Sequence, residues 1–243
     1  MSGHSKWATT KRKKGAIDAK RSKVFTKVAK VITVAARDGK SGDPVMNPSL
    51  RLAIDNAKAV SMPKDNIDRA IKRGLGGLDG GAMLEEVTYE VYGPAGVALL
   101  VECLTDNRNR ALGEIRAILN KNGGSLASAG SVSYLFKKTG QIIIDETKNS
   151  QKSEDLEMII IDSGALDFSK EDEIYVVTCA FTDIHSVKEK LESAGAVLES
   201  TEVVEIPATY LDIPEDKKES VENLLELLDD LDDVNNVYSN ANL

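Results

Sequence analysis

The segment from Gly74 to Gly81 reads GLGGLDGG and divides the 243-residue chain into two parts of different character. Five of its eight residues are glycines, and so many glycines in a short stretch resist regular structure. Before the segment the sequence is basic and has helical periodicity, whereas after it short apolar runs alternate with amphipathic helices. We therefore interpret this segment as a linker at a domain boundary.

Charge is distributed very unevenly across this boundary. Residues 1–80 contain 12 Lys and 6 Arg against 7 Asp and no Glu, a formal charge of +11. The whole chain carries −8, so the other 163 residues carry −19. A basic region of this strength concentrates phosphate backbones around itself, while an acidic remainder repels polyanions from the wrong surface. A basic surface without a partner is the alternative, but acidic residues normally intersperse such a surface, and only Asp18 and Asp38 occur in the first 40 residues.

The basic part predicts three helices. The first runs from Ser5 to about Arg37 and ends at Asp38-Gly39. Asn47-Pro48 is typical of an N-cap followed by proline at the first helical position, and Pro63 opens a third, short helix that Gly74 terminates. The prediction is a small three-helix unit that carries a basic arm.

The acidic part predicts two small α/β units. The first has the order β-β-α-β, with strands at 87–92, 97–104 and 132–136 and a helix at 110–120. The second follows Lys137-Lys138-Thr139-Gly140 and has the order β-α-β-α-β, with strands at 141–144, 174–179 and 196–206 and helices at 154–163 and 184–193.

A further helix at 215–231 and a strand at 236–239 remain at the C-terminal side. A β-β-α-β unit lacks a last helix and strand, and this segment offers both, so we expect the second unit to be inserted into the first. The predicted domains are therefore 1–80, the discontinuous 81–138 plus 207–243, and the inserted 139–206. The fold class is α+β.

The inventory of reactive side chains argues against an enzyme. Histidine occurs only at His4 and His185, so no His-containing catalytic triad is supported. Gly39-Lys40-Ser41 resembles the end of a phosphate-binding loop, but that loop needs a glycine where Val34 stands. We expect no catalytic residues, no cofactor and no small-molecule substrate.

Metal and membrane binding are also unsupported. Cys103 and Cys179 each lie in an apolar β-like run and are interpreted as small buried hydrophobic residues. The acidic run Glu226 to Asp233 lacks the glycine and terminal glutamate of a calcium loop, so we interpret it as a solvated helix end. No run approaches about 18 consecutive apolar residues. We expect no metal, no membrane partner and a cytoplasmic location.

The N-terminal arm is the main candidate for nucleic-acid binding. Closely spaced cations with an interleaved aromatic ring suit phosphate contact with occasional base stacking, although Trp7 packing against the helical unit is an equal alternative. The predicted binding residues are Lys6, Trp7, Lys11, Arg12, Lys13, Lys14, Lys20, Arg21, Lys23, Lys27 and Lys30.

A second candidate is the polar turn that leaves the strand at 97–104 where a helix begins. Its residues Asn107, Arg108, Asn109 and Arg110 would present free backbone N–H groups and two guanidinium groups to a phosphate. The alternative is that an asparagine caps the helix and the arginines are solvated. The two interpretations are compatible.

Several motifs in a fixed order resemble the YebC/PmpR family, whose mitochondrial relatives are translational activators of cytochrome oxidase. They are MSGHSKW at 1–7, NPSLRLA at 47–53, MPKDNI at 62–67, YEVYGP at 89–94 and TDNRNR at 105–110. The resemblance implies a helical N-terminal domain followed by two α/β domains, and no catalytic activity. It carries over to the basic N-terminal positions and to Arg108 and Arg110. Members are described as regulators that bind promoter DNA, and also as ribosome-associated factors that help translation through proline runs.

Our leading hypothesis is a DNA-binding transcriptional regulator whose partner is promoter DNA. The alternative is a translation factor that binds ribosomal RNA on the ribosome. No helix-turn-helix with identifiable base-reading side chains is visible, and a polycationic arm also suits the phosphates of folded RNA. The sequence leaves both open.

Overall fold

The computed structural model describes residues 18–77 and 83–243, with side chains from residue 22 onward. The predicted α+β class is confirmed. In the described ranges the helices are α1 (Asp18–Asp38), α2 (Pro48–Ala59), α3 (Lys64–Gly74), α4 (Arg108–Lys121), α5 (Ser153–Asp162), α6 (Ile184–Ser193) and α7 (Glu215–Asp229). The strands are β1 (Glu85–Tyr92), β2 (Ala98–Thr105), β3 (Ser125–Leu126), β4 (Phe136–Asp145), β5 (Asp167–Glu171), β6 (Ile174–Ala180), β7 (Ser200–Pro207), β8 (Leu211–Asp212), β9 (Val234–Ser239) and β10 (Ala241–Asn242).

A buried asparagine organises the turn between α1 and α2. Asn47 caps α2 by accepting a hydrogen bond from the backbone N–H of Leu50 at 3.0 Å. Its amide nitrogen donates to the carbonyl of Ala35, at 2.8 Å, and to that of Ser41, at 3.2 Å. A Cβ at Gly39 would lie 2.1 Å from Asn47 Nδ2, so this turn requires glycine. One side chain thus starts α2 and fixes the end of α1.

The three N-terminal helices enclose one small apolar core. Ile32 and Leu50 are fully buried there, and Ile67 and Ala70 of α3 pack against them. Helix α3 approaches α1 closely at Gly74, where a Cβ would lie 2.3 Å from the carbonyl oxygen of Thr33. The predicted three-helix unit is therefore present.

The first sheet is antiparallel and has the strand order β3-β1-β2-β9. Helices α4 and α7 cover one face, where the core includes Leu99 of β2, Ile115 of α4 and Leu224 of α7. The central strand β2 is buried along almost its whole length, which explains why its sequence is apolar except at Glu102 and Thr105. Strands β8 and β10 form a short parallel pair beside this layer.

The second sheet is antiparallel, with the order β5-β6-β4-β7, and helices α5 and α6 cover it. Ile142 and Tyr175 of the sheet and Leu156 and Leu191 of the helices are fully buried in its core.

Three predicted strands are wrong in their bounds. The strand predicted at 196–206 begins only at Ser200, as β7. Residues 133–135 form a short 3₁₀ helix, and β4 runs without interruption from Phe136 to Asp145, across the predicted break. Gly140 is not a turn residue. A Cβ there would lie 2.7 Å from Cys179 Sγ and 3.1 Å from Ile184 Cβ, so this glycine permits α6 to pack closely on the sheet. Strand β5, which the sequence did not predict, forms a hairpin with β6.

The division into domains stays a prediction. Topologically, α7 and β9 belong to the layer of the first sheet, and the second sheet is formed by residues 136–207. Within the described ranges no helix is long and apolar enough to cross a membrane.

Candidate nucleic-acid interface

The predicted arm falls only partly within the described structure. Lys6, Trp7, Lys11, Arg12, Lys13 and Lys14 lie outside the described residues. Lys20 and Arg21 belong to the first turn of α1, but their side chains are also outside the description. The remaining predicted positions, Lys23, Lys27 and Lys30, are four and three residues apart and therefore share one face of α1. We call these three residues the lysine face.

The lysine face contacts the turn between α7 and β9. We call residues Asp229–Asp233, which read DDLDD, the acidic turn. Lys23 Nζ lies 3.2 Å from the carbonyl oxygen of Asp230 and 3.7 Å from its carboxylate. Lys27 Nζ donates to the carbonyl of Asp229 and lies 3.2 Å from its carboxylate. The positive face of α1 is therefore already covered by oxygen acceptors of the same chain.

Lys30 is the most firmly held of the three lysines. Its Nζ donates to the carbonyl oxygens of Leu104, at 3.0 Å, and Asp232, at 2.8 Å, and to the carboxylate of Asp233 at 2.9 Å. All three of its donors therefore have an acceptor. The exposed fraction of the side chain is 48% at Lys23, 17% at Lys27 and 19% at Lys30, so only the N-terminal end of the face is open to solvent.

Asp233 joins three parts of the molecule. Its side chain is only 6% exposed. It accepts hydrogen bonds from Nζ of Lys30 in α1 and from Nη2 of Arg110 in α4, the latter at 2.6 Å. It also accepts one from Oγ1 of Thr105, at the end of β2, at 3.0 Å. Burial raises the pKa of Asp233, but the hydrogen bonds from Lys30, Arg110 and Thr105 outweigh it and hold that pKa below its usual range. Asp233 therefore stays ionised and fixes the helical unit on the first sheet.

The second predicted phosphate site is occupied by internal partners. Asn107 caps α4, and its Oδ1 accepts from the backbone N–H groups of Asn109 and Arg110, both at 3.1 Å. Arg110 pairs with Asp106 and Asp233, and Arg108 pairs with Glu85. The capping interpretation is thus observed, while a phosphate contact at this turn stays a prediction.

The acidic turn is the part of this interface that the sequence interpretation missed. A solvated helix end was expected there, and this is wrong for Asp233, which is buried, and for Asp229, which is held by Lys27. The available signal was charge complementarity between DDLDD and a lysine-rich helix, but their separation of about 200 residues hides their contact.

A second ionic contact joins the helical unit to the layer of the second sheet. Lys188 of α6 pairs with Asp55 of α2, and Arg51 of α2 lies 3.8 Å from Glu189. The helical unit is thus held against both sheet layers.

The helical unit also presents basic side chains to solvent. Five exposed basic side chains make no ion pair within the described part of the chain. They are Lys40, Lys64, Arg69, Lys72 and Arg73. These charges remain available to an external anion.

The cysteines and acidic groups show no arrangement for metal binding among the described residues. Cys103 and Cys179 are buried and unpaired, as predicted, and burial raises the pKa of the thiols to about 12 and about 11. They are therefore protonated and unreactive at neutral pH. In the same ranges no group of three or more His, Cys, Asp or Glu residues is placed to hold a metal ion.

Two family models of known proteins match this chain. The model of the TACO1/YebC N-terminal domain matches residues 5–77, and that of the TACO1/YebC second and third domain matches residues 84–241. The chain belongs to the TACO1/YebC family. The resemblance drawn from the sequence motifs is confirmed, and the junction between the two matches coincides with the glycine-rich segment.

Relatives match over the full length. A "Probable transcriptional regulatory protein" of Thermoanaerobacter pseudethanolicus is 49% identical over 100% of this chain and 98% of its own length. A protein of the same description from Frankia casuarinae is 46% identical over 100% of this chain and 96% of its own length. The crystal structure of a conserved hypothetical protein from Aquifex aeolicus superposes with a TM-score of 0.87 at 40% identity, covering 94% of this chain and 93% of that one.

Proposed function

We propose that this protein is a cytoplasmic, non-enzymatic transcriptional regulator that binds DNA through its basic N-terminal third. The observation that carries the proposal is the separation of charge, with +11 in residues 1–80 and −19 in the rest. The family relatives named "Probable transcriptional regulatory protein" support the role of a regulator.

The physical argument concerns phosphate contacts rather than base reading. The arm residues Lys11 to Lys14 and the exposed cations of α3 provide positive charge on the helical unit, whereas the surface of the two sheet layers is mainly acidic. Such a distribution orients a polyanion toward the helical unit and away from the rest of the molecule. Binding of this kind is strongly salt-dependent, because each neutralised phosphate of duplex DNA contributes roughly −0.9 to the slope of log affinity against log salt.

The test replaces Lys11, Arg12, Lys13 and Lys14 by glutamine and measures affinity for a fluorescein-labelled promoter duplex over a salt series. The variant should bind more weakly, and its salt slope should be shallower by about 3–4, because up to four phosphate contacts are lost. Thermal unfolding of the variant is measured alongside, so that a loss of folding is not mistaken for a loss of binding. A control variant removes four charges from the acidic body, at Lys121, Lys152, Lys190 and Lys217, and should retain the wild-type slope.

A cellular experiment separates DNA from RNA as the target. Crosslinked nucleic acid is sequenced from cells that express the wild-type chain or the four-glutamine variant. Enrichment of discrete promoter sequences that is lost in the variant supports the proposal. Enrichment of ribosomal RNA at one confined position would instead identify a translation factor, and unaltered binding by the variant would refute the role of the arm.

A further inference from the structure

We propose that the acidic turn is an intramolecular competitor of nucleic acid for the lysine face. A phosphodiester backbone that binds α1 would displace Asp229 and Asp230 from Lys27 and Lys23, and the acidic turn would thereby lower the affinity of the resting protein. This inference rests on the proposed function and assigns to the turn a role in setting its strength.

The chemistry of the contact supports exchange with phosphate. Each amine of the lysine face is met by carbonyl and carboxylate oxygens, which are the same class of anionic or polar oxygen acceptor as a phosphate presents. Four of the five residues of the acidic turn are aspartates, so its charge density resembles that of a short stretch of nucleic-acid backbone. The face is thus complementary to a polyanion and is currently satisfied by an internal one.

The strength of the contact is graded along the helix. Lys30 has three acceptors and is tied to the buried carboxylate of Asp233, so it serves the fold. Lys23 is half exposed, and its carboxylate partner Asp230 is also exposed, with the two groups 3.7 Å apart. A pair of this kind contributes little and exchanges readily. Displacement should therefore begin at Lys23, proceed to Lys27 and stop at Lys30.

The position of the weak end favours this order. Lys20 and Arg21 lie in the turn of α1 that immediately precedes Lys23, and the basic arm precedes them in the chain. A backbone bound by the arm would reach Lys23 first. The acidic turn covers Lys23 and Lys27, which are the next cations along α1 that such a strand would meet.

A matched pair of variants tests the competition. D229N/D230N removes the two carboxylates that face Lys27 and Lys23, and Asn keeps the shape of the side chain. E219Q/E222Q removes the same charge from exposed positions of the same helix. Affinity is measured at low salt for a short fluorescein-labelled DNA duplex and for an RNA stem-loop. D229N/D230N should bind about fivefold more tightly, and E219Q/E222Q should change affinity less than about twofold.

A double-mutant cycle identifies the lysines as the target of the acidic turn. In a K23Q/K27Q background the D229N/D230N substitutions should give no further gain, because the contested amines are gone. Wild-type protein provides an independent readout by hydrogen exchange. Saturating duplex should accelerate exchange at the amides of Asp230 and Leu231, which donate to the carbonyls of Glu226 and Leu228 in the resting turn.

The outcomes separate this inference from the proposed function. If D229N/D230N behaves like E219Q/E222Q, or if exchange in the acidic turn is unchanged at saturation, the competition is refuted. The proposed function then still stands, provided that the arm variant has lost affinity. If wild type and every variant bind neither probe, the proposed function fails and the competition fails with it.

Discussion

Replacing Asp233 by alanine should destabilise the protein more than replacing any other residue of the acidic turn. The substitution leaves Lys30 and Arg110 without the carboxylate that both contact, in a place where Asp233 itself is almost inaccessible to solvent. Breaking a fully buried pair in this way costs about 3–5 kcal/mol. Here Lys30 keeps the carbonyl oxygens of Leu104 and Asp232, so we expect a loss of about 2–3 kcal/mol in the free energy of unfolding.

This effect has a defined pH dependence. The pKa of folded Asp233 lies below its unfolded value of about 3.9, so the ionised carboxylate stabilises the fold fully above that range. The stabilisation is lost as the pH falls through the folded-state pKa. The difference between wild type and Asp233→Ala should therefore be constant from neutral pH to about pH 5 and should shrink on further acidification.

Urea denaturation followed by circular dichroism, at neutral pH and in acid, measures both quantities. Asp232→Ala is the matched control, because within the described part of the chain only its backbone carbonyl contacts the lysine face and its side chain is exposed. It should change stability by less than about 0.5 kcal/mol. The reasoning is refuted if the two variants are equally stable, or if the cost of Asp233→Ala is unchanged in acid.

Two further predictions concern glycines and an internal carboxylate. Gly39→Ala should lower the free energy of unfolding by about 1–3 kcal/mol, because the new methyl group collides with the amide of Asn47. Gly113→Ala, in an open helical position, should raise it by about 0.5–1 kcal/mol. Thermal or urea unfolding measures both, and equal effects would contradict the role of Asn47. Glu90→Gln should accelerate hydrogen exchange in residues 130–133, because the Glu90 carboxylate accepts from three of their backbone N–H groups. Burial raises the pKa of Glu90, but these bonds hold it below its usual range, so wild type should lose the same protection only in acid, and protection that persists in the variant would refute this role.

Local signals in the sequence predicted most helices and central strands. Asn47 before Pro48 and Asn107 before Arg108 cap helices in the structure, and the apolar run of β2 is a buried central strand. These features depend on near neighbours in the chain, so the sequence contains the information directly.

Errors arose where a residue serves a distant contact. Gly140 follows a polar stretch and was placed at the break between two strands. The structure requires glycine there because Cys179 and Ile184 leave no room for a Cβ. Strand β5 reads DFSKE, which has too little apolar alternation to predict a strand, and it is formed by pairing with β6.

The same limit applies to the candidate site. Charge is visible in the sequence, so the lysines of α1 were recognised as basic positions, and their role in nucleic-acid binding stays a prediction. Their pairing with DDLDD depends on the packing of α7 and β9 against the helical unit, which no local pattern reports.

The pairing of β2 with β9 has a consequence for synthesis of the chain. Leu99 and Ser239 are partners although about 140 residues separate them, so the ribosome must produce the whole second sheet before β2 acquires its outer neighbour. During that interval an apolar strand has an open edge, which is a template for association between nascent chains. We expect rapid pairing of β9 with β2, or shielding by a chaperone, to decide how much newly made protein reaches the native state.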